Sequence, residues 1–193
     1  MKSVILFIFL TYFWVIKLKC VSSRHFANMK PCPEFFSKFT NSVDELLGDW
    51  HVALLIMDEV EETFEERSLC IQGKLLKVNS TELIQIWNIE IPQIFHQDRT
   101  ELYFPTRIIE PGIWLVQSPL GGEFHGTILE SDGSSYLLIV YCGWQDNNSV
   151  HLMTLAMSRN NVVTPKQKLH FLSLFTKNGY DPFKNKIVSW SDC

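Results

Sequence analysis

What most narrows the fold is a succession of short β-type runs between residues 48 and 159, separated by turns and by no helical segment. Trp50 to Asp58, Leu69 to Val78 and Thr81 to Ile91 are rich in β-branched and aromatic residues. They are closed by an acidic loop, by Asn79-Ser80 and by Pro92. Glu101 to Phe104 reads as a short strand whose register Pro105 and Pro111 blur. Ile113 to Gln117 and Glu123 to Glu130 form a hairpin around Pro119-Leu120-Gly121-Gly122. Asp132-Gly133 turns the chain into Tyr136 to Cys142, and Asp146 to Ser149 leads into Val150 to Ser158. Glycine and proline are read throughout as turn residues. Eight such runs joined this closely predict an antiparallel up-and-down sheet that closes on itself and so removes its edges.

Only after Arg159 does the period change. Thr164-Pro165 supplies an N-cap and a first-turn proline, Leu169, Leu172 and Phe175 recur at helical spacing, and Asn178-Gly179 supplies a stop. The expected fold class is therefore all-β: an eight-stranded antiparallel up-and-down β-barrel, or calyx, over 48–159, with one C-terminal α-helix over 164–178 packed outside. An N-terminal arm, 24–47, is held extended by Pro31-Cys32-Pro33 and ends in a short amphipathic turn around Val43 to Leu47. A tail, 179–193, offers Lys186 to Trp190 as a last strand. The 193 residues suffice for one domain with a substantial core and are too few for two.

Lys2 precedes an apolar run from Val4 to Ile16, with the small residues Ser22 and Ser23 beyond it, the layout of a secretory signal peptide over 1–23. Cleavage after Cys20 or after Ser23 fits equally well. The run is shorter than the roughly 20 apolar residues of a membrane span, so no transmembrane segment is expected. Loss of Lys2, Lys17 and Lys19 leaves 14 of the 17 basic side chains against 21 acidic ones, a net charge of −7. That balance argues against a nucleic-acid partner, which needs concentrated basic surface. The acidic cluster Asp58 to Glu66 reads as a solvated loop. Cys32, Cys70, Cys142 and Cys193 remain after cleavage, an even count that in an exported chain predicts two disulfides in any of three pairings. Asn79-Ser80-Thr81 and Asn147-Asn148-Ser149 are sequons at predicted turns, making Asn79 and Asn147 candidate glycosylation sites.

No chemistry-bearing constellation emerges. His25, His51, His96, His125, His151 and His170 are scattered without metal-ligand spacing. There is no Gly-x-Ser-x-Gly elbow, no phosphate-cradling glycine loop and no carboxylate pair set apart by spacing. The chain is read as a non-enzyme with no metal and no required cofactor. What it offers is apolar inward surface. On the last strand His151, Met153, Leu155, Met157 and Arg159 form the bulkier face; on the first, the same alternation places Trp50, Val52, Leu54 and Ile56 inside. Leu83, Trp87, Ile89 and Ile91 share a face of the third. Tyr136, Leu138 and Val140 are assigned inward on the seventh, although Leu137 and Ile139 are as apolar. Leu54, Ile56, Trp87, Tyr136, Leu138, Met153 and Leu155 are thus the candidate ligand contacts. These side chains either fill a solid core or line a cavity, since an eight-stranded barrel is just wide enough for one small ligand, and methionine adapts to what it meets.

These spacings resemble the lipocalins. Gly48-Asp49-Trp50 before the first strand, Ser131-Asp132-Gly133 between the sixth and seventh, and Arg159 ending the eighth look like that family's three conserved stretches. Lys30-Pro31-Cys32-Pro33, Arg67-Ser68-Leu69-Cys70-Ile71-Gln72, Tyr136 to Cys142 and the Ser191-Asp192-Cys193 end are most similar to the apolipoprotein D-like branch, with its insect Lazarillo and bilin-binding members. The family's usual Thr-Asp-Tyr turn is Ser131-Asp132-Gly133 here. Little similarity extends to the third and fourth strands, which line much of the family's pocket. The resemblance implies that Cys32 pairs with Cys142 and Cys70 with Cys193. It also implies that Arg159 lies across the Trp50 indole at the closed end, with Gly48 and Asp132 as structural markers. It implies further a secreted carrier of a small hydrophobic ligand of the fatty acid, sterol, retinoid or bilin class. Bound lipid or tetrapyrrole would then be cargo, and a cell-surface receptor is a possible partner. The alternatives are an extracellular protein-interaction module with a packed barrel and binding loops at its open end, and a thiol-dependent isomerase of the kind known among lipocalins, which would need a free cysteine.

Overall fold

The computed structural model describes residues 30–34, 36–39, 42–58, 70–90, 100–178, 181 and 186–190. The expected signal segment, most of the acidic loop, Ile91-Pro92, Gly179 and Cys193 lie outside the described residues. The strands are β1 (Gly48–Asp58), β2 (Cys70–Lys77), β3 (Glu82–Glu90), β4 (Thr100–Glu110), β5 (Ile113–Gln117), β6 (Glu123–Ser131), β7 (Tyr136–Gln145) and β8 (Asn148–Ser158). The helix α1 (Pro165–Lys177) and β9 (Lys186–Trp190) follow. Consecutive strands from β1 to β8 pair antiparallel, and β1 pairs with both β8 and β2, which closes the barrel. Closure is unequal along its length. β2 accompanies β1 only from Gly48 to His51, and β9 takes over from Leu54 to Asp58.

β4 is far longer than the four residues expected and runs straight through Pro105. A proline cannot donate to a ladder, but β5 pairs only with Thr106 and beyond, so Pro105 sits where β4 has β3 alone as a partner. β7 and β8 meet in a two-residue turn, Asp146-Asn147, with φ of 50° and 64°. Positive φ at both central residues matches the twist of the flanking strands, and Asp and Asn tolerate it. Glycine is not confined to turns: Gly73, Gly126 and Gly143 stand inside strands.

The apolar residues form two layers. Trp50, Leu75, Leu83, Trp114, Ile128, Leu137 and Met157 fill the barrel. Leu54, Ile56, Leu129, Leu138, Val140 and Ala156 face outward and are covered by α1. The helix starts where its cap chemistry dictates: Thr164 accepts from the Gln167 N–H at 3.3 Å, and the Gln167 side chain accepts the Thr164 N–H at 2.9 Å. Its buried face is Phe171, Leu174 and Phe175, rather than the expected Leu169, Leu172 and Phe175; Leu169 is 70 % exposed. Either set satisfies helical spacing, and the barrel wall selects the one carrying two phenylalanines.

The arm lies along β8. Pro31 bridges Val150, the Cys32 N–H donates to the Ser149 carbonyl at 3.0 Å, and Lys30 accepts the His151 N–H at 2.9 Å. A Cys32–Cys142 disulfide, with Cα atoms 5.8 Å apart, fastens the arm to β7 across 110 residues of sequence. Chain entropy for a loop of that length gives about 4–5 kcal/mol as a ceiling. Cys70 is also disulfide-bonded.

Candidate functional site

One end of the barrel is sealed. The Arg159 guanidinium lies 3.7 Å from the centroid of the Trp50 ring, which is fully buried. Its N–H groups donate to three carbonyls of the chain entering β1: Asp49 at 2.7 Å, Leu47 at 2.9 Å and Glu45 at 3.1 Å. The Trp50 indole N–H donates to Leu46 at 2.7 Å. A cation stacked on an indole contributes about 0.5–2 kcal/mol; here it also satisfies the last carbonyls of the short 3₁₀ helix Val43–Leu46. Gly48 holds φ at 99°, which a side chain would resist. Asp132 braces the adjoining β6–β7 turn, accepting the N–H groups of Ser134, Ser135 and Tyr136 as well as the Ser135 hydroxyl. Burial works to raise the Asp132 carboxyl pKa, but those hydrogen bonds outweigh it and hold the group below its ordinary value.

Half-way up the barrel a polar chain crosses the interior. Gln85 Oε1 accepts from Trp87 Nε1 at 3.2 Å and from the Tyr141 hydroxyl at 3.0 Å; Gln85 Nε2 donates to Thr106 Oγ1 at 3.0 Å, and the Thr106 hydroxyl donates to the Phe104 carbonyl at 3.0 Å. An indole N–H can only donate, which fixes the Gln85 amide orientation and obliges Tyr141 to donate as well. Two glycines make room for the aromatic members. Gly73 is directly opposite Trp87 on β2, and a Cβ there would collide with the indole; Gly126 is opposite Tyr141 on β6, where a Cβ would come within 2.9 Å of the phenol ring.

Above this chain, away from Trp50, lies an apolar cavity of about 250 Å³, lined by Val52, Leu55, Met57, Ile71, Gln85, Trp87, Ile89, Phe104, Phe124, Tyr141, Met153 and Leu155. Phe124 meets Phe104 and Tyr141 edge-on, with ring centroids 6.2 and 5.4 Å apart, giving the wall a stiff aromatic corner. Methionine and isoleucine form the partly exposed rim at Met57, Ile71, Ile89 and Met153.

Of the seven candidate ligand contacts, Trp87, Met153 and Leu155 line this cavity. Leu54, Ile56, Tyr136 and Leu138 do not; they lie beneath α1. On β1 the cause is a bulge between Val52 and Leu54, which reverses the alternation so that Leu55 and Met57 replace Leu54 and Ile56 inside. On β7 both faces are apolar because both are covered. Leu137, Ile139 and Tyr141 face the barrel, while Tyr136 meets His170 and Phe171 of the helix edge-on at 5.5 and 6.3 Å. His151 also leaves its expected row: the β7–β8 register slips beside it, and its Nε2 lies 2.8 Å from Thr154 Oγ1. Gln85 and Tyr141 were missed as site residues. The signal for Gln85 was a polar residue in phase with Leu83 and Trp87 on an otherwise apolar face.

No family model and no curated protein matches the sequence. Solved structures do match. The siderocalin Ex-FABP aligns with a TM-score of 0.56 and 18% identity, covering 77% of this chain and 96% of its own. Lobster apocrustacyanin A1 aligns at 0.57 and 11%, covering 78% and 79%. The odorant-binding protein OBP1 aligns at 0.54 and 17%, covering 76% and 92%. The chain has the lipocalin fold. At these identities the likeness is one of architecture: a closed eight-stranded barrel with one helix on its outer wall.

Proposed function

We propose that the protein is a secreted lipocalin that binds and carries a small hydrophobic molecule in its barrel, with no covalent chemistry. The observation that carries this reading is the apolar cavity of about 250 Å³ held open above a packed lower barrel. Burying a few hundred Å² of apolar ligand at about 25 cal/mol/Å² yields several kcal/mol before association costs, enough for micromolar affinity. A siderocalin and an odorant-binding protein of the same fold are relatives in architecture that bind small molecules by name. The volume lies just under the roughly 300 Å³ of common ligand pockets. It therefore suits a compact ligand, or one end of a fatty acid, sterol, retinoid or bilin whose remainder projects through the rim. The layout of residues 1–23, the Cys32–Cys142 bridge and the sequons support export. Cysteine order and the local matches at Lys30 to Pro33, Arg67 to Gln72, Tyr136 to Cys142 and Ser191 to Cys193 support an apolipoprotein D-like branch, with Cys193 as the partner of Cys70.

Trp87 in the cavity wall is the natural reporter. Titration with a panel of such ligands is expected to quench tryptophan fluorescence saturably and to raise the unfolding temperature, by about 2.7 kcal/mol of added stability at a hundred times Kd. An intact fold with no saturable signal across the panel overturns the carrier. It would favour the second reading, protein recognition by the open-end loops, for which the exposed Leu120 and Trp144 at that end are the supporting observation.

A further inference from the structure

The helix covers the outer wall at β1, β6, β7 and β8, where Leu54, Leu129, Leu138 and Ala156 are buried against it. The outward residues of β2 to β5 have no such cover among the described residues, yet they too are largely apolar. Strand register sets them in ranks that run across the strands. Nearest the closed end, Glu82 on β3 lies beside Arg107 on β4, with Val78 and Leu115 on their outer flanks. Leu76, Ile84 and Pro105 form the next rank, then Lys74, Ile86 and Tyr103, and Asn88 with Glu101 ends the series. Val78 is 55 % exposed, Tyr103 53 % and Leu76 38 %, whereas Leu83, Gln85 and Trp87, which alternate with the outward residues of β3, are buried inside. Apolar side chains left in water as a contiguous patch mark a contact surface.

The charges on this face say what covers it. A two-fold axis along the seam between β3 and β4 brings a second copy face to face and exchanges those two strands. Because Glu82 and Arg107 are register partners across the seam, each Glu82 then opposes the second copy's Arg107. In the same way Val78 opposes Leu115, Ile84 opposes Pro105 and Ile86 opposes Tyr103, apolar against apolar. A two-fold axis across the strands would still set Arg107 against Glu101, but it leaves Glu82 opposite Asn88 and Leu76 opposite Lys74. A shallow depression of about 370 Å³ beside Glu82, lined also by Val78, Ile84, Pro105 and Leu115, gives the incoming Arg107 side chain room. Glu82 uses one carboxylate oxygen to accept from Asn79 Nδ2 at 2.5 Å, and the other is left for the guanidinium. Four strands by four outward ranks measure roughly 19 by 27 Å, about 500 Å² per copy and 1,000 Å² in all, which is the size of a weak, concentration-dependent contact.

We propose that the outer wall of β2 to β5 is a self-association surface, on which a second copy of this chain docks about a two-fold axis along the β3–β4 seam with Glu82 of each copy paired to Arg107 of the other. The face uses outward side chains and the cavity inward ones, so this inference stands independently of the carrier reading.

The test is sedimentation of the disulfide-bonded chain, made without glycosylation because a glycan on Asn79 would stand beside Glu82. A reversible monomer–dimer equilibrium is expected through the micromolar range. Arg107→Glu and Glu82→Arg each set like charges opposite one another, and either alone should weaken the dimer at least about tenfold. An equimolar mixture of the two variants restores both attractions and should recover association at the wild-type level, which no effect within a single copy can do. Tyr103→Arg, at a side chain already half exposed, puts an unpaired charge in the apolar centre of the face and should by itself leave a folded monomer. Cooperative unfolding is the check on folding for each variant. A wild-type chain that stays monomeric throughout overturns the proposal without recourse to any variant. Association that survives in folded Tyr103→Arg or Glu82→Arg overturns it too, the latter being what the axis across the strands allows, as does a mixture of the two charge variants that fails to recover.

Discussion

Trp87 and Tyr141 each lie across a glycine of the neighbouring strand, so the cavity owes its shape to two absent side chains as much as to those present. Gly73→Ala must drive the Trp87 indole off β2. The nearest free volume is the cavity itself, and overpacking of this kind costs about 1–3 kcal/mol. Ligand affinity is expected to fall at least tenfold, with a lower denaturation midpoint, as read by fluorescence titration and urea unfolding. At the arm, burial pushes the His151 pKa down from 6.5 to about 4. The unfolded chain then takes up a proton on His151 from pH 6.5 downward while the native chain does not. The stability this residue contributes is therefore complete above pH 6.5 and is lost as pH falls from 6.5 toward 4. Thermal midpoints measured across that window should decline, and His151→Gln should flatten the decline. Glycine was read from sequence as a turn residue, whereas Gly73 stands inside β2 at a close approach. What approaches it is a residue of the next strand, and that depends on register.

Elements were legible to the extent that their signals are local. The start of α1 follows from Thr164, Pro165 and Gln167 because a cap is made by residues within one turn of each other. The buried face was not legible, since Leu169, Leu172 and Phe175 keep helical spacing as well as Phe171, Leu174 and Phe175 do. Phe175→Ala is expected to cost about 3–5 kcal/mol, as for a large aromatic truncated in a core, whereas Leu169→Ala should stay within about 0.5 kcal/mol. Equilibrium denaturation of the two variants separates the faces. β1 makes the same point for strands. Its alternation is regular in sequence, and one bulge moves Leu54 and Ile56 from the cavity to the underside of the helix.

For the whole molecule, the polar chain from Tyr141 to Phe104 divides the barrel into a solid lower half and a hollow upper half. The Arg159–Trp50 stack closes the lower half, and the parting of β1 from β2 opens the upper. The Cys32–Cys142 bridge ties the arm to β7. Replacing both cysteines by serine is expected to lower stability by about 2–5 kcal/mol. Neither cysteine lines the cavity, so affinity should be retained in the folded fraction. Chemical denaturation and a ligand titration on one double variant check both statements.

Strand number, turn positions, the helix cap and the even cysteine count could be argued from the residues, each from neighbours along the chain or from residue types with few structural uses. The Trp50–Arg159 floor and the Cys32–Cys142 pairing were implied only by the resemblance to the lipocalins. Which of two apolar faces points inward on β1, β7 and α1 was decided only by the tertiary structure. There the helix covers one face of the wall, so hydrophobicity marks both sides alike and cannot orient them. The cavity floor was decided in the same way. Gln85, Tyr141 and Thr106 come from three strands, separated by up to 56 residues, and only closure of the sheet brings their donors and acceptors within reach.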